Sequence, residues 1–156
     1  MKNTLIVNLF GGPGCGKSTL MAGIFHQLKL KGYDCEMVTE FAKDLVWEKR
    51  NETFKDELYI FAKQNHRLFR VNGKVDIIVT DRPLLLTNAY YQYNNLNLLL
   101  KRQTVYQENG RNQSEEEAMQ IDKITQDLLE SNEINYYTVN NNDLADIIEV
   151  IKLHVK

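Results

Sequence analysis

The residues best suited to chemistry stand near the start of the chain. Gly11-Gly12-Pro13-Gly14-Cys15-Gly16-Lys17-Ser18 matches G-x-x-x-x-G-K-[ST]. Glycines at these spacings let successive backbone N–H groups turn toward one anion without side-chain clash. A helix opening at Lys17 would add the positive end of its dipole. Lys17 is placed to reach the outer phosphates of a nucleoside triphosphate, and Ser18 to ligate Mg²⁺. The whole run from Gly11 to Thr19 is expected to cradle ATP with Mg²⁺. A random chain of this length contains such a match about once in 200.

Other polar groups follow strand-like runs. Asp81 ends the apolar run Val75-Asp76-Ile77-Ile78-Val79-Thr80, where a carboxylate can hold Mg²⁺ directly or through water. Its structural alternative is a helix cap before Pro83. Arg82 could bind a substrate phosphate or hydroxyl, or pair with a surface acid. Glu40 ends the run from Cys35 to Thr39. A carboxylate there cannot attract a γ-phosphate, so accepting a proton from an attacking hydroxyl is the task that suits it; capping a helix is the alternative. Arg111, with Lys101 and Arg102 nearby, could offset charge on a transferring phosphoryl group, or be solvated. Lys63, Arg67, Arg70 and Lys74 recur at i, i+4, i+7 and i+11, a basic stripe that is either solvated or binds a phosphorylated partner. Tyr59 and Gln64 on the same helix could stack on and hydrogen-bond a base.

Alternating elements must position these groups. Leu5 to Phe10 reads as a buried strand, and a helix follows from Lys17 to about Leu30. Cys35–Thr39 is a second strand and 41–49 a short helix. A helix from Thr53 to about Val71 buries Leu58, Phe61, Ala62, Leu68 and Phe69. Val75–Thr80 is the third strand. Pro83 fits the first turn of a helix, and Leu96–Leu100 is the fourth strand. Residues 103–113 are polar and read as a mobile lid. Ser114-x-x-Glu117 is a capping box opening a helix with Ala118, Ile121, Ile124 and Leu128 inward. Tyr136–Val139 is a fifth strand, Asn140-Asn141-Asn142 a turn, and Leu144, Ile147, Ile148, Ile151 and Val155 mark the last helix. The pattern predicts an α/β three-layer sandwich around a five-stranded parallel sheet, with one P-loop domain spanning 1–156. Right-handed crossovers bring Gly11–Thr19, Glu40 and Asp81 to one sheet edge.

Composition narrows the class further. The 156 residues suffice for one sizeable core. No apolar run approaches the ~20 residues needed to cross a bilayer, and the first four residues do not resemble a signal peptide. Cys15 and Cys35 are expected to be reduced thiols of a cytoplasmic protein, and three scattered histidines suggest no zinc site. Charge is uneven: residues 1–102 hold 15 Lys+Arg against 10 Asp+Glu, and residues 103–156 hold 4 against 11. Such asymmetry either steers partners or reflects ordinary surface helices.

The series Gly11–Thr19, Val38-Thr39-Glu40-Phe41-Ala42-Lys43-Asp44, Phe61-Ala62-Lys63-Gln64 and Asp81-Arg82-Pro83 resembles the small P-loop kinases related to nicotinamide riboside kinase. It is also similar to deoxynucleoside and thymidylate kinases. The segment from Gly110 to Ala118 resembles the lid and following helix of bacteriophage kinase-like ATPases, some of which phosphorylate the hydroxymethyl group of a modified uracil in DNA. The resemblance implies that Glu40 engages the acceptor hydroxyl and that Arg82 is the arginine of an acid–Arg pair. Here that motif reads Asp-Arg-Pro, where deoxynucleoside kinases usually read Glu-Arg-Ser.

The expectation is an ATP-dependent kinase of a bacterial or phage-infected cell. It would move a γ-phosphoryl group to a hydroxyl of a nucleoside, a nucleotide or a hydroxymethylated pyrimidine in DNA. Lys17, Glu40, Asp81 and Arg111 are its catalytic candidates, Glu40, Gln64 and Arg82 its acceptor-side residues, and Ser18 and Asp81 its metal ligands. A P-loop ATPase or a nucleotide-binding regulator without chemistry is the alternative. A GTPase is disfavoured because no Asn-Lys-x-Asp sequence occurs.

Overall fold

A computed structural model describes residues 1–85, 90–102 and 114–155. Five parallel strands form one sheet in the order β2-β3-β1-β4-β5. They are β1 (Leu5–Phe10), β2 (Cys35–Val38), β3 (Ile77–Thr80), β4 (Asn94–Leu100) and β5 (Tyr137–Val139). The helices are α1 (Lys17–Leu30), α2 (Phe41–Trp47), α3 (Glu57–Phe69), α4 (Glu115–Ser131) and α5 (Leu144–His154).

The central strand β1 is buried at every residue because both sheet faces are covered. Side chains alternate between faces along a strand, and β1 shows it. Leu5, Val7 and Leu9 join one apolar cluster with Ile24 and Leu28 of α1 and Ile147 and Ile151 of α5. Ile6 packs on the opposite side with Leu68 of α3 and Ile78, and Phe10 packs with Leu129 of α4.

Strand β4 begins two residues earlier than its apolar run suggests, at Asn94. Its asparagines are held by side-chain bonds. Asn8 Nδ2 donates to Asn95 Oδ1 at 2.8 Å and to Asn97 Oδ1 at 3.2 Å. The Tyr90 hydroxyl donates to Asn97 Oδ1 at 3.0 Å, and Asn97 Nδ2 donates to the Asn135 carbonyl at 2.9 Å. Buried amides are tolerated only when partnered. Here they fix Asn8 opposite Asn97.

Three expectations differ. In α3 the buried residues are Ile60, Gln64 and Leu68, while Leu58 and Phe69 are 76% and 66% exposed. Asp56 caps α3 by accepting from Tyr59 N, three residues beyond the expected start at Thr53, and the polar Gln64 takes an inward position an apolar pattern does not reveal. In α4, Ala118 and Leu129 are buried and Ile124 is 55% exposed. The reciprocal Ser114–Glu117 capping box forms as expected. Pro83 opens no helix through Leu85; a bend at Asp81 and Arg82 leads instead into irregular chain.

Asn97→Ala would strip partners from Asn8, Tyr90 and the Asn135 carbonyl. It is expected to cost about 1–3 kcal/mol, read as a lower urea midpoint with unchanged slope. An unchanged midpoint would show that this amide cluster contributes nothing.

Candidate active site

The loop from Gly11 to Gly16 joins β1 to α1 at the C-terminal edge of the sheet. Gly11, Gly14 and Gly16 adopt φ of 137°, 78° and 98°, a region that side chains rarely enter. Gly16 has a second reason to lack a side chain, since a Cβ there would lie 2.0 Å from Asn141 Nδ2. Lys17 folds back along the loop, its Nζ donating to the Gly11 carbonyl at 2.6 Å and to the Gly12 carbonyl at 2.9 Å. Cys15 is fully buried beneath the loop, and both it and Cys35 are free thiols.

Asp81 follows β3, the neighbour of β1, and is 4% exposed. One of its oxygens accepts from Ser18 Oγ at 2.8 Å, and the other accepts from the Glu40 backbone N–H at 3.0 Å. The structure therefore brings Ser18, Asp81 and Glu40 together. The Glu40 side chain lies beside Arg82, with Nη1 to Oε1 3.7 Å. Arg82 is about half exposed, so this pair is loose and screened.

Gln64 supports the same place from below. It is 2% exposed. Its Oε1 accepts from Phe41 N at 2.8 Å, and its Nε2 donates to the Thr39 carbonyl at 3.4 Å. Both ends of the amide are thus spent on the turn that carries Glu40. Arg67 adds bonds to the Thr39 carbonyl and hydroxyl and an ion pair with Asp44. Arg111 and the expected lid at 103–113 lie outside the described residues.

Three contacts to the loop were not expected from the sequence. The Gly12 N–H donates to Asp122 Oδ1 of α4. The other Asp122 oxygen accepts from Arg102 Nε at 2.7 Å, and Arg102 Nη2 donates to the Pro13 carbonyl at 2.9 Å. This pair is well shielded, with 13% and 25% of the side chains exposed. From the other flank, Asn141 Nδ2 donates to the Cys15 carbonyl at 3.1 Å, while its buried Oδ1 has no partner among the described residues. Asp122 lies mid-helix among other charges, so nothing local distinguishes it. For Asn141 a signal exists, because it follows β5 at the edge where the loop lies.

A glycine-lined anion cradle, a lysine and a strand-end carboxylate on a parallel α/β sheet define a P-loop nucleotide-binding protein. The model of the AAA domain family matches residues 6–97, more than half of the chain, and the chain belongs to that family. No curated protein sequence matches it. Among solved structures it is similar to deoxyadenosine kinase from M. mycoides with bound dATP, at 18% identity and a TM-score of 0.56, covering 95% of this chain and 97% of that one. It is also similar to APE1195, at 15% identity and a TM-score of 0.57, covering 100% and 99%. At these identities the likeness shows the fold, that of the small P-loop kinases which the sequence resembles.

Asp122→Ala would release the Gly12 N–H and remove the Arg102–Asp122 ion pair. The expected cost is about 1–2 kcal/mol of stability after discounting for partial exposure. ATP affinity should fall several-fold, measured by titration calorimetry. Asp122→Asn, which can still accept from Gly12, should recover part of the affinity. Wild-type affinity in Asp122→Ala would show that α4 does not support the loop.

Proposed function

We propose that the chain is an ATP-dependent phosphotransferase that moves the γ-phosphoryl group to a hydroxyl of a nucleoside, a nucleotide or a hydroxymethylated pyrimidine in DNA. The observation that carries this reading is the shared Asp81 carboxylate, which holds Ser18 on one side and the Glu40 backbone on the other. The Ser18 contact would serve any Mg²⁺-dependent P-loop protein; the second contact, which anchors Glu40 beside it, is what supports an acceptor-side carboxylate and hence transfer.

In this reading the backbone N–H groups from Gly14 to Thr19 grip the phosphates. Lys17 exchanges the Gly11 and Gly12 carbonyls for phosphate oxygens. The hard oxygens of Ser18 and Asp81 suit Mg²⁺, which takes one or two protein ligands and completes its shell with phosphate and water. Among the described residues no cluster of three or more His, Cys, Asp or Glu could hold a metal alone, so nucleotide oxygens would be needed here. When bound, the ion offsets charge on the β- and γ-phosphates. Glu40 accepts the proton of the acceptor hydroxyl. Arg82 steadies Glu40 or the acceptor, Gln64 fixes the turn that aims Glu40, and Arg111 offsets charge on the moving phosphoryl group. No helix among the described residues is long and apolar enough to cross a membrane.

Glu40→Gln should lower kcat by about 10²–10⁴ with little change in ATP affinity. The assay is transfer of labelled γ-phosphate to a panel of nucleosides, nucleotides and hydroxymethylated DNA. Undiminished transfer would leave Glu40 as a turn residue, and phosphate release without any acceptor would favour an ATPase.

Lys17→Ala should nearly abolish transfer while leaving the melting curve native-like, because its ammonium touches loop carbonyls and not the core. Wild-type turnover in that variant would refute the assignment of the loop.

A further inference from the structure

We propose that the groove between β2, α2 and α3 is a second anion site, which takes successive phosphate groups of a phosphodiester chain or of a free oligophosphate. The groove encloses about 520 Å³. None of its lining residues belongs to the phosphate loop. Its floor is β2 and the turn after it, at Met37, Val38 and Thr39, and α3 with its C-cap residue supplies Lys63, His66, Arg67 and Arg70 along one wall.

Charge on this wall is unbalanced. Asp44 is the single carboxylate of the lining, and Arg67 already pairs with it. Lys63, His66 and Arg70 have no carboxylate partner among the described residues. Lys63 lies over the Tyr59 ring at 5.4 Å, an arrangement that leaves the ammonium free to meet an anion. Arg67 stacks at 5.1 Å on Phe41 and bonds Thr39, so the middle of the wall is rigid before any ligand arrives, with its charge offset by Asp44.

The spacing argues for several phosphates rather than one. A single phosphate is gripped by donors that converge. Here Lys63 on α3 and Arg70 at its C-cap stand seven residues apart, about 10 Å along the axis at 1.5 Å per residue, with Arg67 between them. That is a row of cations facing a concavity, which suits a chain of anions. A basic helix face with no groove beside it would carry no such inference.

Arg67 and Gln64 both bond the Thr39 carbonyl, one residue before Glu40, so the groove adjoins the proposed acceptor side. The proposal itself does not rest on phosphotransfer, and its test involves no turnover. A short fluorescein-labelled oligothymidylate is titrated against the protein by anisotropy at several salt concentrations. Inorganic tripolyphosphate serves as competitor and thymidine as a phosphate-free control. The titrations are repeated on the Lys17→Ala background, which weakens the phosphate loop.

Lys63→Ala with Arg70→Ala should weaken oligothymidylate binding about tenfold. It should also lower the slope of log affinity against log salt by roughly 1.4, at about 0.7 for each phosphate no longer neutralised. The weakening should persist with Lys17→Ala. Lys31→Ala with Lys123→Ala removes the same charge from exposed sites elsewhere and should leave affinity near wild type. Oligothymidylate binding tighter than tripolyphosphate identifies a phosphodiester chain. Tripolyphosphate binding at least as tightly, with the same dependence on Lys63 and Arg70, identifies a free oligophosphate. Equal weakening in both double variants, or no binding of either phosphate probe, overturns the proposal and leaves the stripe as a solvated face.

Discussion

The candidate site depends on a single buried carboxylate. Asp81 is 4% exposed, and a carboxyl group so shielded from water is tolerated only when its polar atoms are partnered. The two chain segments that satisfy it, at Ser18 and at Glu40, lie on opposite flanks of β3 in the sheet order. The same bonds that make Asp81 tolerable draw the start of α1 and the turn after β2 to one point. Architecture and proposed chemistry are thus joined through one side chain.

Around that point the backbone is held from several directions. Gln64 and Arg67 fix the turn carrying Glu40. The phosphate loop is braced by Asp122 and Arg102 on one flank and by Asn141 on the other. A glycine-rich loop has much conformational freedom to lose on ordering. Bonds from α4 and from the segment after β5 reduce that freedom in the folded chain, so less ordering is left for a nucleotide to impose.

Much of the fold is legible in the sequence because its signals are local. Apolar runs ended by glycine or a carboxylate mark strands, and helical spacing and a capping box mark α1, α4 and α5. The faces that differ share one cause. Leu58, Phe69 and Ile124 are apolar yet point outward, and Gln64 is polar yet points inward, because helix phase is set by what each helix packs against. Strand β4 reaches beyond its apolar run because the half-buried Asn95 accepts from Asn8 of β1 and donates to the Tyr90 carbonyl.

The sequence by itself determined the phosphate loop, since Gly11, Gly14, Gly16 and Lys17 carry their conformational and electrostatic meaning at fixed spacing. It also determined that Glu40 and Asp81 end strands on the loop's edge, because parallel strands joined by right-handed crossovers share one C-terminal edge. Only the tertiary structure decided that Asp81 bonds both Ser18 and Glu40, that Gln64 turns inward to hold the turn, and that Asp122 and Asn141 reach the loop. Gly12 and Asp122 are 110 residues apart. A bond at that separation depends on how α4 docks on the sheet, and no local pattern of residues encodes it.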